Sequence, residues 1–232
     1  MSFGTWRFKS SLAHHRKYPA LGRVFSMWIG RNIWRADLLG YNNAMRMWYE
    51  LLLFSVLRKH KRLTNLSQEK FEAFCAKNSN NRRLTMLSLA GSSRGLNAQD
   101  LSSLKHIPNL QELFVEDVIT QANLEQIATC SNLKVLCIDH AGKLDTISPI
   151  AQLSNLEALT ITTPVGWVAK LKTLPDISAL QSLSRLRYLN LAGIKIEKHG
   201  LEPLKGLACL KKVLVISDYR DELSSLLGRS SR

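Results

Sequence analysis

The chain has 232 residues, of which 45% are hydrophobic, and carries 32 Lys and Arg against 18 Asp and Glu, a formal charge of +14. That length gives one or two domains and ample chain for a hydrophobic core. The 4 cysteines form no CxxC pair and no Cys/His cluster with zinc-finger spacing, which excludes a zinc module and fits free thiols in a reducing compartment.

The charge is unevenly placed. Residues 1–63 hold 12 Lys and Arg against Asp37 and Glu50, a net +10, whereas residues 64–232 hold 20 against 16 acids, a net +4. A basic segment of this kind attracts nucleic acid, anionic lipid or an acidic protein, and charge alone does not choose among them. No secretory leader is legible: the apolar stretch Leu21 to Ile29 is broken by Arg23, and no small-residue cleavage site follows. The first 36 residues lack any acid and carry Arg, Lys and Ser, as organelle transit peptides do, so organelle targeting stands as the alternative to a cytoplasmic location. Trp6, Trp28 and Trp34 interleave with Arg7, Arg23, Arg31 and Arg35, a pairing able to stack bases and hold phosphates. No aromatic-sheet signature or helix-turn-helix accompanies it, so nucleic acid is not the favoured partner.

From Asp37 to Leu57 the composition predicts a helix that is apolar around most of its circumference, with Arg46 and Glu50 on a narrow polar face. Its longest apolar run, Met47 to Leu57, has 11 residues and contains Glu50, well short of the ~20 that cross a bilayer, so no transmembrane segment is expected. Such a helix packs on the rest of the chain, lies on a membrane with the basic run Arg58–Arg62 against headgroups, or meets a partner helix. Residues 64–82 are predicted to form a capping helix. Ser67 is its N-cap, Glu69 sits near its positive end, and Phe71, Phe74 and Cys75 share one face.

Residues 83–217 repeat one pattern: leucine, two variable residues, leucine, one variable residue, and leucine or a substitute. It occurs as Leu84-Leu87-Leu89, Leu110-Leu113-Val115, Leu133-Leu136-Ile138, Leu156-Leu159-Ile161, Leu186-Leu189-Leu191 and, more weakly, Leu210-Val213-Val215. The starts lie 26, 23, 23, 30 and 24 residues apart. Between them runs an apolar series of period three, such as Leu101, Leu104, Ile107 and Ile147, Ile150, Leu153, suited to a short helix or 3₁₀ turn. Four copies share a lead-in: Pro108-Asn109, Ser131-Asn132, Ser154-Asn155 and Ser184-Arg185. Cys130 and Cys209 precede a first leucine and are expected in the core.

The segments LDTISPIAQLSNLEALTI and LPDISALQSLSRLRYLNL resemble the short intracellular and internalin-type leucine-rich repeats. The resemblance covers about residues 83–217. It implies an α/β repeat solenoid: a curved parallel sheet of about six strands, short helices or 3₁₀ turns on the convex side, and here a helical N-terminal segment besides. The chain departs from the family where an asparagine usually follows the strand. Ser92, Val118, Ala141, Pro164, Ile194 and Asp218 stand there, and irregular loops are expected. One repeat alone cannot fold: roughly seven apolar side chains at about 1.5–3 kcal/mol each do not offset about 1–2 kcal/mol per residue of backbone ordering. Stacking buries both faces of each coil, so stability grows with neighbours. Residues 218–232 are expected to give a short closing helix, Asp218 to Leu227, and a frayed tail.

No catalytic constellation is present: no phosphate loop, no HExxH and no G-x-S-x-G elbow, and the 6 histidines are scattered. The reading is therefore a non-catalytic scaffold without cofactor or metal, binding an unidentified protein through its concave face. The alternative is a peripheral membrane or organelle assembly factor anchored through residues 1–63. With the leucines inward, alternation turns Glu112, Phe114, Glu116, Asp139 and Tyr188 to the concave surface. Phe114 and Tyr188 are candidate anchors, and Glu112, Glu116, Asp117 and Asp139 form an acidic corner that selects a basic partner or receives the chain's own basic segment. His140 is expected at the exposed concave edge. The longest interval between strands carries Trp167 in a Pro164–Val168 insertion, a further possible contact.

Overall fold

A computed structural model describes residues 60–64, 67–90, 99–163 and 171–227. All belong to the second of two compact units, Ser55–Arg232. The predicted helix over 37–57, the tryptophans and arginines before it, and the inserted loop with Trp167 lie outside the described residues.

Seven strands form one parallel sheet in chain order: β1 (His60–Thr64), β2 (Met86–Ala90), β3 (Glu112–Thr120), β4 (Val135–Lys143), β5 (Ala158–Ile161), β7 (Tyr188–Asn190) and β9 (Lys212–Leu214). Its register is that of the leucines, with Leu87 opposite Leu113, then Leu136, Leu159, Leu189 and Val213. A slip of one residue would turn every leucine to the outer face, so the repeated pattern specifies the pairing. The first and second leucines of the five strong copies are all buried.

Behind the sheet lie α1 (Gln68–Asn78), α2 (Gln121–Ala128) and 3₁₀ turns at Ser102–His106, Ser148–Gln152, Ser178–Ser182 and Glu202–Gly206. The period-three series has a direct backbone cause. Leu104 N donates to Leu101 O, Ile107 N to Leu104 O and Leu110 N to Ile107 O, and the Ile147 and Ile177 copies repeat this. Each i+3 turn returns the next apolar side chain to the same face, and Leu101, Leu104, Ile107, Ile147, Ile150, Leu153, Ile177, Leu180 and Leu183 are all buried. Core and turn thus share one period.

The sheet begins one coil earlier than the sequence pattern suggests. β1 pairs with β2 from His60↔Met86 to Thr64↔Ala90, so α1 is the convex element of a first coil rather than a helix placed ahead of the array. Lys61 stands in register with Leu87 and only Leu63 keeps an inward apolar side chain, which is why this coil escapes the pattern. Within α1, Ser67 Oγ accepts from Lys70 N at 3.4 Å, Phe71 and Cys75 are buried, and Phe74 is half-buried against the core.

Where irregular loops were expected after the strands, backbone pairing continues in part. β3 and β4 run on past the leucines with register shifts, bringing Val118 opposite His140. Ile194 opens β8 (Ile194–Ile196), which pairs with β6 (Lys172–Leu174) in a second, two-stranded parallel sheet. Asparagines do ladder, but at the other end of the strands. Asn109, Asn132 and Asn155 donate through Nδ2 to the carbonyls of Arg82, Pro108 and Ser131 one repeat earlier, at 3.1, 2.8 and 3.0 Å. Arg185 continues the series by donating to Asn155 Oδ1 at 3.0 Å.

The array closes with a 3₁₀ turn at Ser217–Tyr219 and α3 (Arg220–Leu227). Tyr219 Oη accepts from Ile196 N at 2.7 Å and donates to Ile196 O at 2.9 Å, so one side chain satisfies both backbone groups of an edge-strand residue. Glu222 Oε2 accepts from Leu201 N at 2.7 Å, close against Gly200, whose φ of +48° suits glycine. Cys209 is exposed, contrary to expectation. It stands one residue before its leucine, in the place of Asn109 and Asn132, whereas Cys130 stands three before, in the buried place of Ile107.

Candidate functional site

The outward residues of the seven strands lie in register. One row runs Met86, Glu112, Val135, Ala158, Tyr188, Lys212, and the next runs Arg62, Ser88, Phe114, Cys137, Thr160, Asn190, Leu214. Glu116 and Asp139 follow one step beyond, past Val115 and Ile138, on the same face.

The five candidate residues therefore share the concave face, but none is fully exposed. Glu112 is 9% exposed, and Phe114, Glu116, Asp139 and Tyr188 are half-buried. His140, expected at an exposed edge, is half-buried too, and its Nδ1 is buried without a hydrogen bond. The short outward side chains of Ser88, Cys137, Thr160 and Asn190 are buried as well. Asn190 Oδ1 also accepts from Ala192 N at 3.0 Å, which satisfies it locally.

The acidic corner is built, and part of it is engaged. Arg62 Nη2 pairs with Glu116 Oε2, while Ser88 Oγ donates to Glu116 Oε1 at 2.7 Å. Arg62, the last cation of the basic run Arg58–Arg62, thus meets this corner, while the rest of the basic segment lies outside the described residues. Both partners of the pair keep about a third of their side-chain surface in water, so it adds little to stability and orients Glu116 instead. Cys137 Sγ donates to Asp139 Oδ1 at 3.4 Å. Burial pushes the Asp139 carboxyl above its ordinary value, with Glu116 adding to the rise, and burial pushes the Cys137 thiol well up. A buried, protonated thiol of this kind is inert rather than nucleophilic.

Sequence reasoning missed the opposite charge at the far end of the same sheet. Arg185, Arg187, Lys211 and Lys212 are exposed beside Tyr188, and Glu157 pairs with Arg187 at 3.6 Å. Reading each strand's start against the next would have found it, because Lys212 is the register partner of Tyr188. Among the described residues, no group of three or more His, Cys, Asp or Glu is placed to hold a metal ion, and no helix is long and apolar enough to cross a membrane.

This architecture is a leucine-rich-repeat solenoid: stacked coils, one parallel strand each, leucines inward in register. No family model matches the chain, and no curated protein matches it. Similar solved structures include an internalin (inlF) from Listeria monocytogenes, 20% identical, covering 71% of this chain and 45% of that one with a TM-score of 0.47. An internalin C2 of the same organism is 27% identical over 58% of this chain and 62% of its own, with a TM-score of 0.36. A leucine-rich-repeat protein of Leptospira interrogans is 18% identical over 66% of this chain and 46% of its own, with a TM-score of 0.31. The chain spans between 45% and 62% of the length of these structures. The fold assignment stands on the strand register itself.

Proposed function

We propose that this chain is a non-catalytic, protein-binding scaffold that takes its partner on the concave face of the solenoid. The observation that carries this reading is the alignment of variable residues in register across seven strands, with Phe114 and Tyr188 among them. Large aromatic side chains that no inner core requires are the groups that anchor an interface, and fixed charges beside them select the partner. The four free cysteines, three of them buried, support a reducing compartment and hence the cytoplasm. The net +10 of residues 1–63 favours a second reading, a peripheral membrane contact, which salt-sensitive flotation with anionic liposomes would reveal.

The test is affinity capture with the full chain, identification of the partner, and measurement of its Kd. Phe114→Ala with Tyr188→Ala should weaken that Kd at least about tenfold, roughly 1.4 kcal/mol, with only a modest loss of thermal stability. Trp167→Ala is the control and should matter only if the inserted loop joins the interface. An unchanged Kd in the double variant removes the concave face as the site and moves the search to Trp167 and residues 1–63.

A further inference from the structure

Where each coil enters its strand, the two residues before the first leucine and the one after it stand on one flank of the solenoid, in lanes that run from coil to coil. The backbone fixes their register. Gln111 N donates to Thr85 O, Lys134 N to Gln111 O, Glu157 N to Lys134 O, Arg187 N to Glu157 O and Lys211 N to Arg187 O, each at 2.7 or 2.8 Å. Over the six coils these places hold Arg82, Arg83, Lys134, Arg185, Arg187 and Lys211, all exposed, against one acid, Glu157. Taken from the 20 cations and 16 acids of residues 64–232, they leave 14 against 15, so this flank carries the whole positive excess of that region. Among the described residues no acid pairs with Arg82, Arg83, Lys134 or Lys211. Arg185 gives one N–H to the Asn155 amide and keeps its charge, and Arg187 alone is offset, by Glu157 at 3.6 Å.

The cations stand at intervals along the flank. Arg82 and Arg83 lie at the entry of β2, Lys134 at that of β4 and Arg185 at that of β7, each two strand spacings, about 10 Å, from the next. Lys211 follows one strand further, at β9. Between them Gln111 is neutral, and Glu157 with Arg187 adds no net charge. A nucleic-acid strand carries a charge about every 3.4 Å, so most of its phosphates pass this flank without meeting a cation. No aromatic residue stands in the three lanes for its bases to stack on. A polypeptide can space its charges to match. In polyproline II form every third residue faces the same way, about 9.3 Å apart, and a guanidinium takes a carboxylate in a two-pronged pair. We infer that the strand-entry flank binds an acidic polypeptide segment laid across the strands in polyproline II form, with a carboxylate on every third residue. From β2 to β9 is five spacings, about 24 Å, which such a segment covers in about eight residues. This surface lies outside the concave rows and does not depend on the concave-face reading.

The experiment is fluorescence polarisation of the full chain with two labelled peptides. One is about four repeats of Glu-Pro-Pro, roughly 37 Å long as polyproline II; the other has the same composition with its glutamates in one block. Oligothymidylate and vesicles of equal parts phosphatidylserine and phosphatidylcholine serve as unlabelled competitors. The spaced peptide should bind at least about tenfold tighter than the block peptide. Arg185→Glu with Lys211→Glu, and separately Arg82→Glu with Arg83→Glu, should each weaken it at least about fivefold. Lys143→Glu with Lys195→Glu makes the same change in net charge at exposed places on the exit side of the strands, and should leave its Kd within about twofold of wild type. Equal weakening by all three variants assigns the binding to overall charge or to the basic residues 1–63 and overturns the inference. So do equal affinities for the two peptides, no binding of either, or displacement of the spaced peptide by oligothymidylate or the vesicles at concentrations below its own Kd.

Discussion

Cys130 and Cys209 differ by two places relative to the leucine that follows each, and that offset decides what they can react with. Cys130 fills the third apolar place of a convex turn, and burial raises its thiol to about 11; burial likewise raises Cys75 to about 12. Cys137 is buried in the outward row and held against Asp139. Only the thiolate attacks an alkylating or disulfide reagent, so these three are shielded twice, by access and by protonation. A thiol titration of native protein near pH 8 should therefore find one fast cysteine, Cys209, with the other three appearing on denaturation. Prompt reaction of Cys130 would mean that the third turn position is not core. Mass mapping of a bridge between Cys130 and Cys137 would overturn the reducing-compartment proposal.

Among the elements, the turns show most plainly what a linear pattern carries and what it omits. Period-three leucines were legible because each side chain's burial follows from its spacing alone. The first coil was not, because Lys61 occupies a place where later coils have leucine, and β1 owes its position to backbone pairing with β2. The asparagine ladder was half legible. Asn109, Asn132 and Asn155 stood out as a shared lead-in, but that their Nδ2 groups reach the previous coil's carbonyls is a fact of stacking. Of the site, the facing of Phe114, Glu116, Asp139 and Tyr188 followed from strand alternation, whereas their partial burial depends on neighbours from other strands and did not. The closing element is likewise tertiary. Tyr219 caps Ile196 from 23 residues away, doing for β8 what a further strand would do. Tyr219→Phe leaves that buried N–H and carbonyl unsatisfied and should cost about 1–3 kcal/mol, read as a lower urea midpoint with unchanged slope. A midpoint equal to wild type would show that water replaces the hydroxyl and that the cap is open.

For the molecule as a whole, the coils depend on one another, so position within the array should set the cost of a cavity. Leu136 is fully buried on β4 with neighbours on both sides, and Leu136→Ala should cost about 2–5 kcal/mol. Val213 occupies the same place on the edge strand β9 and is half-buried, so Val213→Ala should cost less. A reversed order would refute the shared register. The binding proposal belongs to this scale too, since its surface exists only when the strands stack. It is tested most directly by placing the photo-crosslinking amino acid benzoylphenylalanine at position 114, on the concave face, and in a second protein at exposed Gln152 on the convex turn. With the captured partner present, irradiation should give a covalent adduct from position 114 and none from 152. An adduct from 152 alone would contradict the concave face as the binding site.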